Sequence, residues 1–263
     1  LTQQQLQAQA QEVNDREIPS GTTVGSDPAP GERLDKETVV TVFVSIGPAT
    51  HQIPALAGKS ADEVRAVLEQ AFVGVAGDPE RQFADPADGT VLGASVIPRS
   101  GGNAIDCTQG CTVYEGDAAS LVVSLGPIPD VTGDSRSQAE RALDGVGLKT
   151  AVTEEYSSSV ASGNVIAMGQ RDGGGNWRPG DTVPLRVSIG PKPVEIPGNV
   201  VGMSIRDAVK TLEALGFEVN AGIDDGTLPL GFKYWDIYKV RATNPKAGTT
   251  APQGSTITLT PTL

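Results

Sequence analysis

One histidine and two cysteines in 263 residues leave this chain short of the side chains that most metal and nucleophilic chemistry uses. A structural zinc site takes four nitrogen or sulfur ligands; His51 lies far in sequence from Cys107 and Cys111, and no metal is expected. A catalytic triad needs a nucleophile and an orienting carboxylate beside its base, whereas His51, between Gly47-Pro48 and Ile53-Pro54, reads as an exposed linker histidine. Basic residues are scarce too, 20 Lys and Arg against 32 Asp and Glu, for a formal charge of −12. Nucleic-acid affinity rests on clustered cations, so a nucleic-acid partner is excluded. Long apolar runs are missing: Val39 to Ile46 is broken by Thr41 and Ser45 and falls far below the ~20 residues of a membrane helix. Membrane attachment would need a segment absent from this chain, which opens on Leu1 rather than Met and reads as an excised fragment. There is no His-Arg-Asp, no Asp-Phe-Gly and no Ser-x-x-Lys, so neither phosphoryl transfer nor transpeptidation is expected, and no cofactor. With its apolar residues divided among small cores, the chain is expected to form no large pocket.

What the chain has instead is a repeated clause. Val44-Ser45-Ile46-Gly47-Pro48, Val123-Ser124-Leu125-Gly126-Pro127 and Val187-Ser188-Ile189-Gly190-Pro191 each close a β-branched run. Each is followed by Ile-Pro (Ile53-Pro54, Ile128-Pro129, Ile196-Pro197), a glycine, and a serine that opens an amphipathic helical pattern. Such self-similarity outranks any single-residue motif. The spacings, Gly47 to Gly126 and Gly126 to Gly190, are too long for a solenoid of one supersecondary unit per repeat, so each unit is expected to carry its own small core.

In the last repeat Ser204-Ile205-Arg206-Asp207 has capping-box spacing, with Asp in place of the longer Glu or Gln. Ile205, Ala208, Val209, Leu212 and Leu215 follow at helical intervals, Gly216 suits a left-handed cap, and Phe217-Glu218-Val219-Asn220 alternates as a strand. The third repeat matches it with Ser135, Ala139, Leu143 and Val146 on the apolar face and Gly147 at the end. The second gives Val64, Leu68 and Ala71, but Phe72 stands where the others have glycine, so a different helix exit is expected there. The first unit aligns with the third without gaps, pairing Leu6 with Leu148, Ile18 with Val160 and Gly21 with Gly163. It lacks its first strand and most of its helix, and is expected to be frayed through Gln11. The reading is α+β: tandem modules over 1–48 (partial), 49–127 (with a cysteine-containing insertion), 128–192 and 193–263, each with one helix on a three-stranded sheet. Gly-Pro linkers restrict φ and the preceding residue, so an extended rod is expected, ordered except at its ends.

The Ile-Pro opening, the serine before each helix, the Asn244-Pro245-Lys246-Ala247-Gly248 and Asp27-Pro28-Ala29-Pro30-Gly31 turns and the Ser-x-Gly-Pro exit together resemble the PASTA domain. The resemblance covers essentially the whole chain and is weaker in the second repeat, where the turn motif gives way to the insertion. It implies the extracellular segment of a bacterial membrane serine/threonine kinase, non-catalytic in itself, lying within the cell wall and recognising peptidoglycan fragments or precursors. Binding would be coupled to kinase dimerisation through self-association. Its rivals are the PASTA tail of a penicillin-binding transpeptidase and a purely structural spacer.

Three features carry candidate sites. Cys107-Thr108-Gln109-Gly110-Cys111 reads as a disulfide pinning a loop, with a loop-local effect, against the alternative of a metal site. Phe232, Tyr234, Trp235 and Tyr238 with Arg241 offer flat apolar faces beside a cation, suited to a muropeptide, or else complete the last core. Trp177 and Arg178, in the glycine-rich loop Arg171 to Gly180, are the second candidate contact, or an anchor that packs that loop on its own sheet.

Overall fold

The computed structural model describes residues 6–221 and 235–263. The chain divides into two compact units: Leu1–Ile128 with Asn176–Pro179, and Pro129–Gly175 with Gly180–Leu263.

The first unit opens with β1 (Gln7–Val13), β2 (Thr23–Asp27) and β3 (Val39–Ser45), in the order β1-β3-β2. It continues with β4 (Thr50–Ile53), α1 (Ala61–Gln70), β5 (Gly74–Val75), β6 (Glu80–Gln82), β7 (Val91–Ile97), β8 (Ile105–Asp106), β9 (Cys111–Tyr114) and β10 (Ala118–Ser124). Here β10 is central, parallel to β5 and β6 and antiparallel to β7, while β4 pairs with β9. The second unit holds α2 (Arg136–Asp144), β11 (Lys149–Glu155), β12 (Val165–Met168), β13 (Thr182–Ser188) and β14 (Pro193–Glu195). It ends with α3 (Ile205–Ala214), β15 (Glu218–Asn220), β16 (Lys239–Asn244), β17 (Thr250–Pro252) and β18 (Thr256–Thr262). Its two three-stranded sheets are ordered β11-β13-β12 and β15-β18-β16, so in each three-stranded sheet of the chain the last strand lies in the middle, parallel to the first and antiparallel to the second.

The repeated clause has one structural job. Ser45, Ser124 and Ser188 are buried at the ends of the central strands. Their hydroxyls donate to the carbonyls of Ile18 (2.7 Å), Pro86 (2.6 Å) and Val160 (2.7 Å) and accept from the amides of Gly47 (3.0 Å), Gly126 (2.9 Å) and Gly190 (3.0 Å). Each hydroxyl thus satisfies two backbone groups that would otherwise be left unpaired where the strand turns away.

The helices start as their sequences require. Ser60 and Glu63 form a full capping box, and the Ser60 amide and hydroxyl together hold the Glu63 carboxyl below its ordinary pKa. Ser204 accepts from the Asp207 amide at 3.1 Å, and the shorter Asp207 carboxylate meets the Ser204 hydroxyl at 2.8 Å. The first helical amides, of Ala61, Arg136 and Ile205, donate to the carbonyls of Gly89, Gly163 and Tyr238, which ties each helix start to the loop before its second strand. Val64 and Leu68, Ala139 and Leu143, and Ile205, Ala208 and Leu212 face the sheets. Val146 does not: α2 ends before it, and it is 37% exposed.

Two other expectations fail. β1 is not frayed through Gln11; it pairs in parallel with β3 over seven residues, Gln7 with Val39 through Val13 with Ser45, because ladder bonds substitute for the missing helix cover. Nor does α1 leave by a different route. Phe72 adopts the left-handed conformation itself (φ 56°), like Gly147 (φ 80°) and Gly216 (φ 85°), and the next amide donates to the same helical carbonyl in all three, Val73 to Leu68, Leu148 to Leu143 and Phe217 to Leu212. An L side chain in this region costs about 1–2 kcal/mol. Phe72→Gly should therefore be more stable than Phe72→Ala by about 1 kcal/mol in urea melts, reversing the usual preference for alanine. Equal stability, or a better alanine, would contradict the strain.

Candidate functional site

The insertion of the first unit builds its most elaborate surface. Cys107 and Cys111 form a disulfide with 5.0 Å between Cα atoms. Within it, the Thr108 carbonyl accepts from the Leu56 and Ala57 amides, and the Thr108 hydroxyl accepts from the Ala94 amide at 3.1 Å. Gly110 (φ 99°) passes so close to the segment after β4 that a Cβ there would lie 2.8 Å from the Ile53 carbonyl. Cys107 is fully buried in the core with Ile53, Leu56 and Val113, so its role is not loop-local: the bridge anchors the leading segment onto β9.

His51 lies in β4, opposite Val113, and is not a free linker residue. Its Nε2 is 3.3 Å from Glu115 Oε1, and Arg16 Nε donates to Glu115 Oε2 at 3.4 Å. The Arg16 guanidinium also lies 3.9 Å from the centre of the Phe72 ring, whose strained backbone swings it outward. The His51 contact first, and Arg16 after it, hold the Glu115 carboxyl below its ordinary pKa. This pairing is present at neutral pH and is lost as acid protonates Glu115.

Beside this cluster, and against the expectation of no large pocket, runs a cleft of about 520 Å³. Its apolar lining includes Ile18, Ile46 and Pro48. Asp117, only 4% exposed, accepts from the Arg99 amide on one oxygen and the Tyr114 amide on the other, both at 2.8 Å. One buried carboxylate thus fixes two cleft residues, one in β9 and one in the turn after β7. Gly116 leaves room for the Arg99 side chain, whose Cδ would lie 3.3 Å from a Cβ at that position. The Arg99 guanidinium donates through Nη1 to the Arg16 carbonyl, and among the described residues no carboxylate pairs with it.

The sequence-predicted contacts lie elsewhere. Trp235 and Tyr238 are half-buried against the core around α3, β16 and β18, while Arg241 is exposed on β16. The Tyr238 carbonyl receives the first amide of α3, and Arg206 Nε donates to Asp236 Oδ1 at 2.6 Å. Phe232 and Tyr234 fall outside the described residues. Trp177 and Arg178 group with the first unit: the Trp177 carbonyl accepts from the Phe83 amide at 2.7 Å, and Arg178 Nη2 is 2.8 Å from Glu80 Oε1. Arg16, Arg99 and Tyr114 were missed, since none belongs to the repeat; Gly116-Asp117 does recur, as Gly180-Asp181, and was the only local signal.

Repeats and topology together define a tandem array of small modules, each built around a sheet whose last strand is central and, from the second onward, covered by a helix. Residues 126–189 and 195–260 match the family model of the PASTA domain. The chain carries two PASTA domains in tandem. It is 33% identical over 217 residues to the probable serine/threonine-protein kinase PknB of Corynebacterium glutamicum, covering 80% of this chain and 30% of that protein. Against the probable serine/threonine-protein kinase pknA2 of Bifidobacterium longum it is 30% identical over 191 residues, covering 68% and 24%. The solved structure of the entire extracellular region of the Ser/Thr kinase PrkC from Staphylococcus aureus is 22% identical, with a TM-score of 0.37 over 73% of this chain and 67% of that one. The chain therefore spans about a quarter to a third of the length of these curated relatives. Among the described residues no helix is long and apolar enough to cross a membrane.

Proposed function

We propose that this chain is the extracellular, non-catalytic region of a bacterial serine/threonine kinase. Its four modules, 1–48, 49–127, 128–192 and 193–263, recognise peptidoglycan fragments or precursors and couple that binding to kinase dimerisation. The observation that carries the reading is the kinase relatives' alignment along most of this chain but under a third of their own length, with the two family matches inside it. A bridged Cys107–Cys111 pair agrees with an oxidising, extracytoplasmic compartment. The charge of −12 disfavours polyanionic wall polymers and leaves neutral or zwitterionic muropeptides as the better ligands. Trp235, Tyr238 and Arg241, with Tyr234, are one address for such a ligand, and Trp177 with Arg178 another. Titration calorimetry of the whole chain with purified muropeptides should give saturable heat, and sedimentation velocity should show a dimer fraction that rises with ligand. Absence of both would favour a structural spacer, and binding without dimerisation would remove the coupling.

A further inference from the structure

We propose that the cleft beside Arg99 is a ligand-binding site for a small molecule with a free carboxylate on an apolar or ring-bearing body. The inference rests on the reading above for its choice of ligand, and on the geometry of the first unit for its address.

Three observations converge on the cleft. The first is an available cation. Arg16 is committed to Glu115 and to the Phe72 ring, whereas Arg99 spends one N–H on the Arg16 carbonyl and has no carboxylate partner among the described residues. A guanidinium presents five donors in a planar fork that matches a carboxylate in two parallel bonds. The second is an apolar surface beside that cation. Tyr114 is 51% exposed and Ile46 is 46% exposed, both lining the cleft with Ile18 and Pro48. Such a surface suits the body of a ligand whose acidic end meets the arginine.

The third is preorganisation. Asp117 is buried, and its two oxygens hold the backbones of Arg99 and Tyr114, so the backbones that carry cation and ring are fixed before any ligand arrives. Opposite them, the Asp15 carboxylate accepts from the Glu17 and Ile18 amides at 2.8 and 2.7 Å, and the Asp15 amide donates to the Gly47 carbonyl, which fixes the loop carrying Arg16 and Ile18. Preformed walls lower the ordering cost of binding. Glu17, Glu115 and Asp117 also line the cleft, so an anion is favoured only where it pairs with Arg99, and extended polyanions are repelled.

The test uses the whole isotopically labelled chain and two probes: muramyl dipeptide, with one sugar ring and one free carboxylate, and its analogue with that carboxylate amidated. Muramyl dipeptide should shift the Arg99, Tyr114 and Ile46 amides saturably, and the amidated analogue should bind roughly tenfold more weakly or worse. Arg99→Gln should lose affinity to the same degree, and Arg99→Lys should retain part of it. Ile46→Glu, at a half-exposed position, should abolish the shifts without unfolding the unit. Shifts confined to residues 193–263 would overturn the cleft as the site while leaving the proposed function standing. Cleft shifts insensitive to Arg99→Gln or to amidation would overturn carboxylate recognition, and no shift anywhere at millimolar probe would overturn the site and count against the broader reading.

Discussion

Ser188→Ala should destabilise its module by about 2–4 kcal/mol, a large share of what a domain of some 65 residues possesses. The hydroxyl is buried, donates to Val160 and accepts from Gly190, so alanine strands a carbonyl and an amide at once. Each orphaned buried group costs about 1–3 kcal/mol. Ser158→Ala, at an exposed position of the same module, should change stability by less than about 0.5 kcal/mol. Urea unfolding followed by signals of β13 would check both. Indistinguishable midpoints would mean that the clause Ser-x-Gly-Pro is not the closure described.

The double replacement Cys107→Ser with Cys111→Ser should cost the first unit about 2–4 kcal/mol, the usual range for a native disulfide. A short loop alone would place it at the low end. Burial moves it up, because Cys107 has no exposed surface and a serine hydroxyl there would need a partner in an apolar core. The loop also supplies the Thr108 carbonyl that receives the Leu56 and Ala57 amides, so loosening it should speed amide exchange at those two residues before α1 responds. Thermal melts of oxidised wild type against the double variant would show the difference. A loss below about 0.5 kcal/mol would restore the loop-local role that the short spacing implies.

Much of the fold was legible because the repeat aligns residues that later prove equivalent. The gap-free offset that pairs Ile18 with Val160 also pairs their structural roles, since both carbonyls receive the exit serine's hydroxyl. The helix starts were equally open to reading, since a cap is a contact across three residues. Phe72 was misread because propensity makes glycine the default at φ > 0, while the tertiary setting, a helix that must reverse into β5 and a ring that meets Arg16, forces the same geometry on phenylalanine. The cleft could not be foreseen. Arg99 and Asp117 are 18 positions apart and Arg16 and Glu115 are 99 apart, and neither pairing leaves a trace in local periodicity. The aromatic cluster near the end was visible for the opposite reason, its density in sequence, yet Trp235 and Tyr238 also contribute to the terminal core.

Recognition of the cell wall is the central claim, and co-sedimentation with purified peptidoglycan tests it most directly. The whole chain should pellet with insoluble sacculi in a saturable manner and be displaced by soluble muropeptides at low and moderate salt alike, since a contact made by one arginine and apolar faces is only weakly screened. Pelleting no greater than that of an unrelated acidic protein of similar size, or binding that soluble muropeptides fail to displace, would contradict the account.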